Sequence, residues 1–525
     1  MALVNTQVAS TTFTYERRRP EESVLYKIIQ QNLLSFYEQL DLEYENGLPD
    51  FVKKEFEEFL KCGILAHGFL RAQCESCKHE KLVAFSCKRR GFCPSCGARR
   101  MTETAAHLVD EVLPIKPLRQ WVLSFPFQLR YLMAAHPNAM SGVLQIFHRS
   151  LNTFLAKKAG LKAQAKTGAI TFIQRFGGSL NLNIHFHTLC LDGTYSFSNN
   201  SSQFHLTGAP KQEELDKLLK QVVKRIVKYL EKKELILKDE EDQSYLPAPK
   251  SALEHIQGSS ITYRIALGKN KGQKALTLQA LPNQEQNKLK PFLAKYSGFS
   301  LHAGVSCQAH ERKKLEHICR YIARPSLSEE RLSLNPNGQI VYKLKTPYDN
   351  GTTHIVLEPL DLMSRLASLV PKPRVNLTRY FGVFAPHFKH RKLVVLRGKK
   401  EKTETDDKQT SPTCETQKGE KENNPTPLQK ALRLTWAQRL KRVFNIDIET
   451  CPKCSGKVKI ISSIEDPKVI KKILDHLKLP SQAPTPWPAK SSRGPPEPHT
   501  EADPMDTLTI SSDDFNQNFP VLEFS

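Results

Sequence analysis

The chain has 525 residues, 39% of them hydrophobic and 8% aromatic, enough for two or three domains with their own cores. Lys and Arg number 77 against 54 Asp and Glu, a net charge of +23 that calls for a polyanionic partner and favours nucleic acid. No apolar run approaches the roughly 18 residues needed to span a bilayer, and MALVNTQVASTTFTYERRRP lacks the basic start and apolar stretch of a secretory signal. The expected location is cytoplasmic, in the cell interior.

Residues 1–60 read as an N-terminal helical region, because EESVLYKIIQQNLLSFYEQL and FVKKEFEEFLKCG carry apolar residues at helical spacing. Residues 61–105 read as a zinc module. Half of the 12 cysteines fall between Cys62 and Cys96, and without an export signal such clustering favours metal over disulfides. CESC, from Cys74 to Cys77, and CPSC, from Cys93 to Cys96, are separated by 15 residues, so two knuckles are expected to complete one tetrahedral Zn²⁺ site. Cys62 and Cys87 are left over; Cys87 is able to replace one of the four ligands, but reads better as a packed small hydrophobe. Lys88, Arg89, Arg90, Arg99 and Arg100 surround this module, a layout suited to phosphate contacts.

From 106 to 395 helix-like and strand-like stretches alternate, the pattern of a mixed α and β domain. Residues 396–427 are charged and poor in large apolar residues, the composition of a disordered linker. A short module is expected over 428–480, where CPKC at Cys451 to Cys454 is half of a metal site with no second pair behind it. Residues 481–525 read as a Pro-rich disordered tail.

Within the central region, NLNIHFHTLCLD has period two. Leu182, Ile184 and Phe186 alternate with Asn181, Asn183, His185 and His187, so both histidines share one face of a strand and are able to converge on one ion. A metal-binding pair in a basic protein suggests phosphodiester chemistry, which then needs a nucleophile. In AHERKKLEHICRYIARP, Leu315, Ile318, Cys319 and Ile322 form an apolar helical stripe. Tyr321 falls on the flank of that stripe, with Lys314, His317 and Arg324. Gln174, on AITFIQRFG, is a candidate third ligand because a carboxamide oxygen suits a hard cation; His302 is a further candidate, and Tyr380 reads as a packing residue.

Four long stretches carry a resemblance: FLKCGILAHGFLRAQCESCKHEKLVAFSCKRRGFCPSCGARRMTETAAHLVDEVLP, QRFGGSLNLNIHFHTLCLDG, LEHICRYIARPSLSEERL and YDNGTTHIVLEPLDLMSRLASLVPKPRVNLTRYFGVFAP. In this order they resemble rolling-circle transposases of the insertion-sequence-ninety-one type, in the His-hydrophobic-His (HUH) endonuclease superfamily. The resemblance implies an α+β fold, an HUH-type antiparallel sheet with packed helices, preceded by the four-cysteine zinc module. It implies that His185 and His187 ligate Mg²⁺ or Mn²⁺ and that Tyr321 attacks one strand to give a 5′-phosphotyrosine. It further implies single-stranded and hairpin DNA at transposon ends and target DNA as partners. His317 stands where two-tyrosine relatives carry their first tyrosine, so the chain resembles the single-tyrosine branch, in which a second subunit of a homodimer is one way to supply another nucleophile. Three other readings compete. They are a tyrosine recombinase built on the HxxR at His317 to Arg320 with Tyr342 or Tyr348, a non-catalytic zinc-dependent DNA-binding protein, and a rolling-circle replication initiator or relaxase.

Overall fold

The computed structural model describes residues 13–14, 18–161, 165–198, 201–236, 249–280, 291–396, 438 and 446–489. Its centre is an antiparallel sheet of seven strands built around the histidine strand, Leu182–Leu191. Leu118–Ser124 pairs along one side of that strand and Gly168–Phe176 along the other, so that Val122 and Phe172 both stand opposite His187. Phe299–His302 and Leu293–Tyr296 extend the sheet at one edge, Thr378–Gly382 ends it at the other, and Ser306–Cys307 also pairs with Leu118–Ser124. The expected antiparallel sheet with packed helices is the architecture observed.

The period-two pattern of the histidine strand serves two buried faces rather than one. Ile184 and Phe186 point into a core with Trp121, Leu123 and the helices Phe127–Ala135, Pro137–Lys158 and Gln212–Lys232. The face with the histidines is covered by the helix Arg312–Ile322 and by the helix Pro94–His107 with the turn that follows it. Leu315, Ile318, Cys319 and Ile322 are buried there, as the stripe in the sequence requires. Every residue of the histidine strand is therefore buried, and His185 and His187 are each only 4% exposed.

A second antiparallel sheet runs in the order Leu332–Leu334, Ile340–Lys343, Thr352–Leu357, Leu276–Gln279. It shares one core with the helices Val24–Glu43, Asp50–Lys61, Ala252–Ile261 and Pro359–Leu369. Leu25, Phe36 and Phe56 thus pack in the same cluster as Tyr342, Leu357 and Leu366, and the N-terminal helices share a core with the second sheet instead of forming a separate region.

The third sheet corrects the expected domain order. Phe69–Cys74 forms a hairpin with Glu80–Ala84, and its free edge is taken by Val458–Ile464, in the register Val458↔Cys74 to Ile464↔Phe69. The helix Pro467–His476 then seats Ile470 and Leu474 on Leu65 and Phe69. The C-terminal segment is therefore not a module of its own; it completes the zinc module across most of the chain. The tail also begins in contact with the body, since Gln30 donates to the carbonyl of Thr485 and the Trp487 amide donates to that of Gln30. The expected linker from 397 onward and the tail from 490 lie outside the described residues. No helix among the described residues is long and apolar enough to cross a membrane.

Candidate active site and metal centres

His185 and His187 turn their rings toward each other, with Nε2 to Nε2 at 3.0 Å and ring centroids at 4.8 Å. Two ligands about 2.1 Å from an octahedral ion and at right angles to each other stand about 3.0 Å apart, so the pair is spaced as neighbouring ligands of one cation. The other ring nitrogen of each is oriented by a neighbour. His185 Nδ1 donates to the carbonyl of Asn183 at 2.9 Å, which leaves its Nε2 as the lone pair. His187 Nδ1 lies 2.7 Å from Gln120 Nε2, and Gln120 Oε1 has no partner among the described residues. A flip of that amide lets Oε1 accept from Nδ1–H and frees the second Nε2 in the same way. Gln120 was not singled out from sequence; only the pairing of its strand beside the histidine strand brings it here.

Burial pulls His185 down to about 4, against the Asn183 carbonyl that favours its protonated form. It pulls His187 well below the ordinary histidine range, helped by His185, Arg324 and His302. Both imidazoles are neutral at pH 7 and need shed no proton to bind an ion. His148, fully enclosed on the opposite face, is lowered to about 3 by burial alone. The unfolded chain takes up protons on these residues below about pH 6.5, whereas the folded chain does so only near 4 or lower. Their contribution is thus intact above about 6.5 and is lost as pH falls from there toward 4. The metal-free protein is expected to melt several degrees lower at pH 5 than at pH 7.5; an unchanged midpoint would contradict neutral burial of the three rings.

Oxygen atoms converge on the same place. Gln174 and Ser124 stand directly opposite His185 on its two neighbouring strands, and Asn183 precedes it on the same face. Gln174 Oε1, Ser124 Oγ and Asn183 Oδ1 are all buried without a hydrogen-bond partner among the described residues. Buried polar atoms are rarely left so, and three of them around a histidine pair fit a hard cation and the ligands that complete its shell. Gln174 is also tied to the helix of the candidate nucleophile, because its Nε2 donates to the carbonyl of Ile322 at 2.6 Å. His302 lies on the same face but on an outer strand, opposite Val122.

Tyr321 is half-buried, with its ring edge-on to His187 at 6.4 Å between centroids. Arg324 Cζ lies 4.2 Å and Lys345 Nζ 4.4 Å from its ring centre. The competing tyrosines are placed differently. Tyr342 is 1% exposed within the core of the second sheet, and Tyr348 packs against the same core, its hydroxyl pushed up by burial. His317, needed for the recombinase reading, is exposed. Tyr380 pairs opposite Ile170 and packs against the cluster under the Tyr321 helix. Tyr380→Phe is therefore expected to keep at least half of the cleavage rate in a single-turnover assay, and a loss as complete as that of a nucleophile mutant would overturn the packing assignment.

The cysteines form two clusters, and neither is the expected set. Cys74 and Cys77 do not share a site with Cys93 and Cys96: one cluster is Cys62, Cys87, Cys93 and Cys96, the other Cys74, Cys77, Cys451 and Cys454. Strand length is the reason. CESC lies at the tip of the hairpin Phe69–Cys74 with Glu80–Ala84, whereas Cys62, Cys87 and CPSC gather at its base, roughly 15 Å away by the rise of five residues. Cys62 and Cys87 are thus ligand candidates rather than packing residues, and CPKC supplies the pair that CESC lacks. Four thiolates about 2.3 Å from one zinc stand about 3.8 Å apart. The first cluster has sulfur separations of 3.4, 3.7 and 3.8 Å, the second 3.5 and 3.6 Å. Backbone N–H groups of Cys77 and Ser76 help pull the Cys74 thiol down to about 6, toward the thiolate that binds metal.

The basic residues divide. Arg89, Arg90, Arg100 and Arg324 line one cavity of about 130 Å³ between the cysteine-rich module and the histidine sheet, together with Gln174 and Ser326. Gly97 permits that approach, since a Cβ there would stand 2.6 Å from the Cβ of Pro325, just past Tyr321. Arg99 and Lys314 are instead paired with Glu103 and Glu311, and Lys88 is exposed to solvent.

The site thus brings together a histidine pair, an adjacent tyrosine and an arginine-lined cavity against a cysteine-rich module. Residues 168–392 match the family model described as a putative transposase, and residues 28–125 match the one described as a transposase zinc-binding domain. The zinc-binding family is that of insertion-sequence-ninety-one elements, and the two matches in this order support a transposase of that type, with DNA as its partner and two four-cysteine groups suited to structural zinc. No curated relative and no solved structure matches it.

Proposed function

We propose that this transposase nicks single-stranded or hairpin DNA at the ends of its element through Tyr321 and rejoins it by rolling-circle transposition. The observation that carries the reading is the placement of Tyr321 edge-on to His187, on the helix that covers the histidine pair. The Tyr321 oxygen forms a bond to the scissile phosphorus as the bond to the 3′-oxygen breaks. The phenol loses its proton and the 3′-oxygen gains one, leaving a 5′-phosphotyrosine and a free 3′-OH. One phosphodiester replaces another, so a second 3′-OH reverses the step without ATP.

His185, His187 and Gln174 would hold a Mg²⁺ or Mn²⁺ ion, which supplies charge to polarise the phosphate. Gln120 and the Asn183 carbonyl keep the two rings aimed, and the Gln174 bond to Ile322 fixes the end of the nucleophile's helix relative to the ligands. With His317 in place of a first tyrosine, one nucleophile per chain must act twice, accept direct attack by a 3′-OH, or be joined by that of a second subunit. His185→Ala is expected to lower single-strand cleavage at least a hundredfold and to abolish Mn²⁺ binding measured by calorimetry. Full cleavage by that variant would remove the histidine pair from the chemistry.

A further inference from the structure

Arg324 and Lys345 lie over the Tyr321 ring, Arg331 lies over the nearby ring of Tyr342, and none of the three is ion-paired among the described residues. They come from three separate segments: the loop after the Tyr321 helix, the turn Glu329–Arg331, and the loop after the strand Ile340–Lys343. Arg324 and Lys345 both lie over the Tyr321 ring, at 4.2 and 4.4 Å. Arg331 lies 4.9 Å over Tyr342, three residues before Lys345. Partial desolvation and the charges of Arg324 and Arg331 together bring Lys345 down to about 8. Arg18, Arg71, Arg119 and Arg365, by contrast, each pair with a carboxylate. Among the described residues no carboxylate pairs with Arg324, Arg331 or Lys345.

Holding like charges this close is unfavourable unless an anion joins them. Two guanidinium forks and one ammonium match the oxygens of a phosphodiester, the forks giving direction and the ammonium a point charge. We propose that Arg331 and Lys345 join Arg324 in a clamp that seats one backbone phosphate of single-stranded DNA against Tyr321. The inference rests on the nickase reading only in taking that phosphate to be the one attacked. Arg331 and Lys345 carry no signal in sequence, since the return of the second sheet is what brings Lys345 over Tyr321 and sets Arg331 over Tyr342.

The test uses the full chain with Tyr321→Phe, so that binding is read without cleavage. The probe is a fluorescein-labelled single strand spanning the element's end, followed by anisotropy. Lys345→Ala and Arg331→Ala should each weaken binding about tenfold and lower the salt slope by about 0.7, and Lys345→Arg should restore most of both. Lys345 is exposed, so an unchanged melting midpoint certifies the fold. Single methylphosphonates are then placed in turn along the strand. At one position, neutralising the phosphate should erase the difference between Lys345 and its alanine variant. An equal loss at every position would overturn the clamp. If that position exists but the protein with Tyr321 intact does not cut there, the clamp stands and the nickase reading fails.

Discussion

Tyr321→Phe is expected to abolish the covalent protein–DNA adduct and to lower strand cleavage by about a thousandfold or more, while single-strand affinity stays within about twofold. The substitution removes one oxygen and leaves the ring, and it is the ring that Arg324 and Lys345 cover and that meets His187 edge-on. Local packing should therefore persist, and a loss of binding as large as the loss of cleavage would assign Tyr321 a structural task. Adduct formation surviving in this variant would move the nucleophile elsewhere. The other tyrosines discussed offer poor substitutes, with Tyr342 in the core and Tyr380 packed under the same helix.

Cys96→Ser is expected to have the largest effect on the fold. Cys96 is 4% exposed, and its cluster joins the end of the helix Asp50–Lys61 to the start of the helix Pro94–His107. Structural zinc contributes on the order of 10 kcal/mol of apparent binding energy, so losing a ligand here should unfold the module and with it the wall of the arginine-lined cavity. Cys451→Ser touches the other cluster, half of whose cysteines are exposed, and should release only the strand Val458–Ile464 and the helix Pro467–His476 from the hairpin. Metal analysis should find two zinc ions per wild-type chain and one in Cys451→Ser, with proteolysis beginning near the C-terminal segment. A single zinc in the wild type would contradict the two-cluster assignment. End binding should suffer more than cleavage of a short oligonucleotide in Cys74→Ser, which belongs to the same outer cluster.

What could be read in advance was whatever local spacing decides. Alternation placed His185 and His187 on one face, and the stripe Leu315, Ile318, Cys319, Ile322 placed Tyr321 on the flank of a buried helix. The ligand sets were illegible for a geometric reason. Four cysteines of like spacing suggested one site, but a five-residue strand carries CESC away from CPSC, and the partner of CESC arrives from residue 451. Gln120, Ser124 and Lys345 were equally hidden, because strand register and the return of the second sheet bring them to the site rather than any motif of their own. The expected separate domains failed likewise, since Leu25 and Tyr342 share a core that no boundary in composition announces.

The measurement that bears most directly on the account is the linkage formed on single-stranded DNA carrying the element's end, with and without Mn²⁺. The protein–DNA adduct is digested and the attached peptide and strand end are identified by mass spectrometry. The predicted result is a metal-dependent adduct joining Tyr321 to a 5′-phosphate, with a free 3′-OH on the other fragment. An adduct on a 3′-phosphate formed without metal, or intact DNA that is bound but never cut, would contradict it.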